Sequence, residues 1–153
     1  MKNIKYRPAE LKDLDTLYEF EQGIVSAERP MDPTLKEGHI NYYDLKELIE
    51  EKQAEVMLAE VDSEIVGSGY VKIMKAKPYL AFEHYGHVGF IYVRPEYRRK
   101  GISQTIITKL IHWAKSKNII ELRLEVYEEN HKAVASYEKL GMKKHLIEMR
   151  MPI

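Results

Sequence analysis

Apolar residues in this chain follow two spacings. Where they recur every three or four positions a helix is expected, and where they alternate or cluster a strand is expected. Ile4-Lys5-Tyr6-Arg7 alternates and predicts a short strand. Leu11, Leu14, Leu17 and Tyr18 share a helical face, predicting an amphipathic helix over Ala9 to Gln22. Gly23 to Gly38 holds Pro30 and Pro33 and reads as a loop with a short helical turn, and Tyr42, Leu45, Leu48 and Ile49 give a second helix. Glu55 to Val61 and Glu64 to Met74 read as strands joined by a tight turn at Asp62-Ser63. Gly67 and Gly69 inside the second strand suggest a bulge or close packing. Lys75 to Gly86 is a connection rich in aromatics, with Tyr79, Phe82 and Tyr85.

The rest of the chain is organised around Val88 to Ser103. Val88, Phe90, Ile91, Tyr92 and Val93 predict a strand, and Pro95 ends its ladder because it has no N–H to donate. Gln104 to Lys117 reads as a helix burying Ile107, Leu110, Ile111 and Ala114. Ile120, Leu122, Leu124 and Val126 point one way and Glu121, Arg123 and Glu125 the other, a strand of period two. Asn130 is a good helix cap, followed by Ala133, Val134, Tyr137 and Leu140 at helical spacing and by Gly141, where a helix C-terminus favours glycine. Lys143 to Met151 reads as a last, weaker strand. The predicted order is β-α-α-β-β-β-α-β-α-β. Strand–helix–strand from Val88 to Val126 implies a parallel pair with a right-handed crossover, and the hairpin implies antiparallel pairing. The fold class is therefore α/β: a mixed sheet with helices on its faces, in a single domain spanning 1–153.

Between strand and helix lies a basic turn, Arg98-Arg99-Lys100-Gly101-Ile102-Ser103. A helix start leaves several N–H groups unpaired and carries partial positive charge. Gly101 lets a bulky group approach the backbone, so the turn is a candidate phosphate site. It is neither a Walker loop nor a dinucleotide fingerprint. The wider composition narrows the partners. Lys plus Arg and Asp plus Glu are 24 each, which argues against a general nucleic-acid binder. With no cysteine there is no thiolate metal site and no cysteine nucleophile, and no metal is expected. No apolar run approaches the roughly 18 residues of a membrane span. Met1–Leu11 is too polar for a signal peptide, so the expected location is cytoplasmic.

Two stretches resemble the GNAT superfamily of N-acetyltransferases. In Val93 to Ser103 the superfamily's Gln/Arg-x-x-Gly-x-Gly/Ala turn reads Arg98-Arg99-Lys100-Gly101-Ile102-Ser103, with Ser103 in place of the usual glycine or alanine. In Leu124 to Met142 its Asn-x-x-Ala-x-x-x-Tyr-x-x-x-Gly pattern is matched by Asn130, Ala133, Tyr137 and Gly141. The N-terminal half matches only in element order.

The resemblance implies an acetyl-CoA-dependent N-acetyltransferase that moves the acetyl group directly to the primary amine of a small molecule or peptide. The cofactor pyrophosphate would rest on amides of Arg98, Arg99, Lys100, Gly101, Ile102 and Ser103, and the pantetheine arm would lie along Ile91, Tyr92 and Val93 like an added strand. An amide at Val93 or a neighbour would hold the oxyanion, and Asn130 would contact the pantetheine as well as capping its helix. Tyr137 matches the tyrosine that protonates the leaving thiolate, and His87 occupies the position of a catalytic glutamate and could accept the amine's proton. His84, Glu83 or ordered water are alternatives for that base. The resemblance leaves open a homodimer, and a module of the same fold that binds CoA or acyl-CoA without transfer. The acceptor side would be built from Glu21 to Asp32 and Tyr79 to Tyr85. There Glu21, Glu28 and Asp32 could attract a cationic amine, or Arg29 a carboxylate.

Overall fold

The structure, a computed structural model, describes residues 3–153; the first two positions of the expected 1–153 span lie outside the described residues. In chain order the elements are β1 (Lys5–Pro8), α1 (Leu14–Glu28), α2 (Leu45–Glu50), β2 (Ala54–Val61), β3 (Glu64–Lys75), β4 (His84–Val93), α3 (Ile102–Ser116), β5 (Leu122–Arg123) and α4 (His131–Lys139). The strands form one sheet in the order β1-β2-β3-β4-β5, antiparallel except for the parallel β4–β5 pair. This is the mixed α/β sheet the sequence predicts.

Period-two alternation sorts the core into two layers. Val56 and Leu58 of β2 join Leu17, Phe20, Leu45, Tyr70 and Phe90 beneath α1 and α2. Met57 and Ala59 join Val66, Val71, Val88, Ile106 and Leu110 beneath α3. The hairpin turn forms as expected: Asp62 and Ser63 have φ of 49° and 67°, the turn geometry whose twist matches that of paired strands. Close packing at Gly69 is also present. A Cβ there would stand 2.7 Å from Ile91 Cδ1 and 2.8 Å from Ile106 Cγ2.

Three expectations are corrected. The first helix does not stop at Gln22 but runs to Glu28. Gly23 serves as a contact point inside it, because a Cβ there would lie 2.7 Å from the Tyr92 ring. The strand expected over Ile120 to Val126 pairs only at Leu122 and Arg123, opposite Gly86 and His87. Beyond them the chain leaves the sheet, and Ile120 and Val126 are exposed. The weak strand expected over Lys143 to Met151 does not form. With β5 only two residues long, it offers no edge to receive a further strand. The segment is instead tied down through Arg150, whose guanidinium donates to Asp32 Oδ1 (3.2 Å) and Thr34 Oγ1 (2.9 Å).

Candidate active site

A bulge in β4 opens the site. Ser68 pairs with Tyr92 and Tyr70 with Gly89, so Phe90 and Ile91 together oppose Gly69 alone. Phe90 takes φ +58°, left-handed backbone that costs a non-glycine residue roughly 1–2 kcal/mol. The conformation is held because the Phe90 ring is buried in the core and its carbonyl accepts the Ser68 hydroxyl at 2.9 Å. A bulge bends its strand. Past His87, β4 has no strand beside it on the β5 side. Ile91, Tyr92 and Val93 lie on this open edge, half-buried.

The basic turn follows. Residues Pro95–Tyr97 make one 3-10 turn, and the Arg98 amide donates to the Pro95 carbonyl at 3.3 Å. The Arg98 side chain folds back: Nε donates to the Val93 carbonyl at 2.9 Å, and the guanidinium lies 5.8 Å from the Tyr92 ring centre. Of Val93's backbone groups, the carbonyl is therefore already engaged. Lys100 lies over Tyr97 at 5.2 Å. Arg99 and Gly101 have φ of +63° and +74°. Left-handed residues alternating with ordinary ones turn successive amides toward one concave side, the geometry of an anion nest. Gly101 is the N-cap of α3 and no side chain caps the helix. Among the described residues, the amides of 99–104 have no hydrogen-bond partner. The Ile102 side chain is buried in the core, so that residue offers only its amide, while Ser103 is half-buried beside it. Space around the Gly101 α-carbon is open.

Helix α4 follows β5 in the chain. Asn130 caps it, accepting the Ala133 amide at 3.3 Å. Tyr137 is half-buried on this helix, and its phenol is pushed up to about 12, by burial first and then by the negative charge of Glu28. His87 lies in β4 between Lys72 and Arg123, with its ring 6.0 Å from that of Tyr70. Burial lowers its pKa, and Glu125 partly opposes this. His87 and Tyr137 thus answer to different carboxylates. His84 and Glu83, the alternative bases, are exposed.

The acceptor side differs most from expectation. Glu21 is fully buried and serves the backbone, its Oε2 accepting the Tyr42 and Tyr43 amides at 2.8 and 2.9 Å. Arg29 donates to the carbonyls of Lys36 and Gly38 and braces its own loop. Asp32 is buried and accepts from the Thr34 amide and hydroxyl, from the Tyr127 hydroxyl at 2.9 Å and from Arg150. These donors hold its carboxyl well below the usual range. Tyr79 points to solvent, and Phe82 and Tyr85 flank the Arg123 guanidinium at 5.9 and 4.9 Å. The aromatics nearest the bulge are others. Tyr43 lies 5.3 Å from Phe90 and 5.7 Å from Tyr70, with Tyr42 a further 5.8 Å along. The Tyr42-Tyr43 doublet before the Asp44 helix cap was a signal for these residues, but the helical spacing of Tyr42 with Leu45 masks it.

The description "Acetyltransferase (GNAT) family" fits residues 14–142 of this chain, nearly its whole length. The chain belongs to the acetyltransferase (GNAT) family. Relatives of this acetyltransferase include an N-alpha-acetyltransferase of Saccharolobus solfataricus, 37% identical over an alignment of 118 residues, covering 72% of this chain and 69% of that protein. Another, from Sulfurisphaera tokodaii, is 31% identical over 149 residues, covering 93% and 81%. A spermidine N(1)-acetyltransferase of Thermoplasma acidophilum is 28% identical over 152 residues, covering 92% and 89%. The acetyltransferase also shares its fold with a predicted acetyltransferase solved with acetyl-CoA from Clostridium acetobutylicum, at a TM-score of 0.76 and 18% identity, covering 98% and 96% of the two chains.

Proposed function

We propose that this acetyltransferase takes its acetyl group from acetyl-CoA and delivers it directly to a primary amine of a small molecule or peptide. The observation that carries the reading is the run of unpartnered amides at 99–104 beside the open edge of β4. The diphosphate would sit on those amides, with Arg99 and Lys100 adding charge and Ser103 filling the small-residue position. The pantetheine arm would lie along Ile91, Tyr92 and Val93 as a substitute strand, with Asn130 at its far side. An amide of the bulged segment would stabilise the oxyanion as the tetrahedral centre forms.

An alkyl ammonium has a reference pKa of about 10.4 and must lose a proton before it attacks. A thiol has a reference pKa of about 8.5, and the Tyr137 phenol is pushed up to about 12 by burial and the Glu28 charge, so it stays protonated at neutral pH. Tyr137 would act as the acid at the departing thiolate, its hydrogen bond to the sulfur strengthening as charge grows there. His87 is neutral at pH 7, since burial lowers its pKa, and on that ground it stays a proton acceptor.

Both kinds of acceptor in the relatives' names carry primary amines, a peptide N-terminus and a polyamine. The test is release of free thiol from acetyl-CoA with alanyl peptides and spermidine as acceptors, alongside thermal unfolding. Acetyl-CoA should raise Tm, as any ligand that binds only the native state must. Gly101→Glu should abolish the rise by crowding the phosphate and adding like charge. A full Tm rise in Gly101→Glu would remove the pyrophosphate from this turn.

A further inference from the structure

Of the three carboxylates on the α1 side, two are occupied. Glu21 holds two amides, and Asp32 holds its own loop, Tyr127 and the C-terminal segment. Glu28, the last residue of α1, is half-buried and has no cationic partner among the described residues. The Tyr42 hydroxyl lies beside it but meets no acceptor at hydrogen-bonding geometry.

The course of α1 sets where Glu28 stands. The helix runs antiparallel to β4: Glu19 lies 3.9 Å from Arg94, the Phe20 ring 4.6 Å from Tyr92, and Gly23 packs against the same Tyr92. Five residues beyond Gly23, at about 1.5 Å of rise each, carry the helix end to about the level of the bulge at Phe90 and Ile91. Tyr137 of α4 lies near enough to feel the charge of Glu28. Around the carboxyl stand Asp32 with its partner Arg150, and the hydroxyls of Tyr42, Tyr43, Tyr127 and Tyr137.

We propose that Glu28 takes the proton from the acceptor's ammonium and holds the freed amine for attack on the thioester. This rests on the acetyl-CoA reading above. The ammonium gives one proton to the Glu28 carboxylate, and its lone pair forms the C–N bond. The tetrahedral centre collapses with loss of the C–S bond, the nitrogen's second proton passes to the leaving thiolate, and Glu28 returns its proton to water. Amine in its ammonium form plus acetyl thioester gives amide, thiol and one proton. Burial raises the proton affinity of Glu28, which narrows its gap to the amine and favours the transfer. His87, by contrast, has Tyr70 and Glu125 as its neighbours.

The experiment is the pH dependence of kcat/KM for wild type, Glu28→Gln and Glu28→Asp with spermidine as the acceptor and free thiol as the readout, with an alanyl peptide as a second acceptor for activity at pH 7 only, since its amine titrates near about 8. A base that removes the ammonium proton makes the wild-type profile level between the carboxyl's titration and the amine's. Glu28→Gln must wait for free amine, so its rate climbs tenfold per pH unit. A deficit of about a hundredfold at pH 7 should shrink to about tenfold at pH 8. Glu28→Asp should be slower but keep the level profile. An acetyl-CoA-induced Tm rise in each variant checks its fold. A deficit for Glu28→Gln that stays constant with pH overturns the assignment. So does a wild-type profile rising with unit slope from pH 6 to 9, a result that needs no variant. Wild-type protein that releases no thiol with either amine overturns the acetyl-CoA reading itself; an active wild type paralleled by Glu28→Gln overturns only Glu28.

Discussion

Tyr137 shows how much a single environment decides. Burial and the Glu28 charge hold its phenol at about 12, so it stays protonated across the whole working range. The expected outcome for Tyr137→Phe is a 10–100-fold lower kcat with an unchanged acetyl-CoA-induced Tm rise, because only a bond made late in the reaction is lost. An equal loss in cofactor affinity would assign Tyr137 to packing. Glu21 carries a different load. Glu21→Leu leaves the amides of Tyr42 and Tyr43 buried without an acceptor, and should cost about 3 kcal/mol in urea unfolding. The basic turn at the start of α3 and the Asn130-capped helix that carries Tyr137 were legible in the sequence because their spacing is local, and both elements form. The work of Glu21, Asp32 and Arg29 was not. Glu21 stood at the end of a predicted helix and Arg29 and Asp32 in a predicted loop, and only the folded chain shows which charges were sealed against a backbone.

At the scale of elements, α3 comes close to β3 at Gly69, where a Cβ would stand 2.8 Å from Ile106 Cγ2. Adding Val there crowds Ile106 Cγ2 of α3 and Ile91 Cδ1 of β4, and Ile106 is fully buried with no room to give. Gly69→Val should lower stability by about 1–3 kcal/mol, read as a lower urea midpoint with an unchanged slope. Hydrophobic pattern recovered β2, β3, β4, α3 and α4; the predicted face is buried in α3, and in α4 it is half-buried at Ala133, Val134, Tyr137 and Leu140. It overstated Ile120 to Val126, because alternation records a strand's faces and says nothing of whether a neighbouring edge is within reach. The bulge at Phe90 and Ile91 turns that edge away. Gly23 misled for the opposite reason: a residue that breaks isolated helices is kept here for its small size.

At the scale of the whole molecule, one ion cluster joins the beginning of the chain to the sheet. Arg7 meets Asp13 at 2.8 and 2.9 Å and Glu60 at 2.8 Å. Its hydrogen bonds hold the Asp13 carboxyl below its ordinary value. A carboxyl depressed in the folded state contributes stability above its unfolded pKa of about 3.9 and loses it as pH falls further. Asp13→Asn should therefore be less stable by about 2 kcal/mol at pH 7, and the gap should close below pH 4 in thermal melts. A gap that persists at low pH would place the loss in packing.

The parting of β4 from β5 also divides the protein's cohesion. Downstream of Arg123 the chain leans on the rest through few fixed points, Tyr127 and Arg150 on Asp32 foremost among them. A rigid guest laid in the gap would brace two walls whose strand pairing ends at His87 and Arg123. Amide exchange in 131–139 should then slow severalfold when acetyl-CoA is added, while the β2–β3 hairpin keeps its own pace. The wedge would make the last fifth of the molecule a borrower of stiffness, firm when loaded and loose when spent, and so able to let its product go.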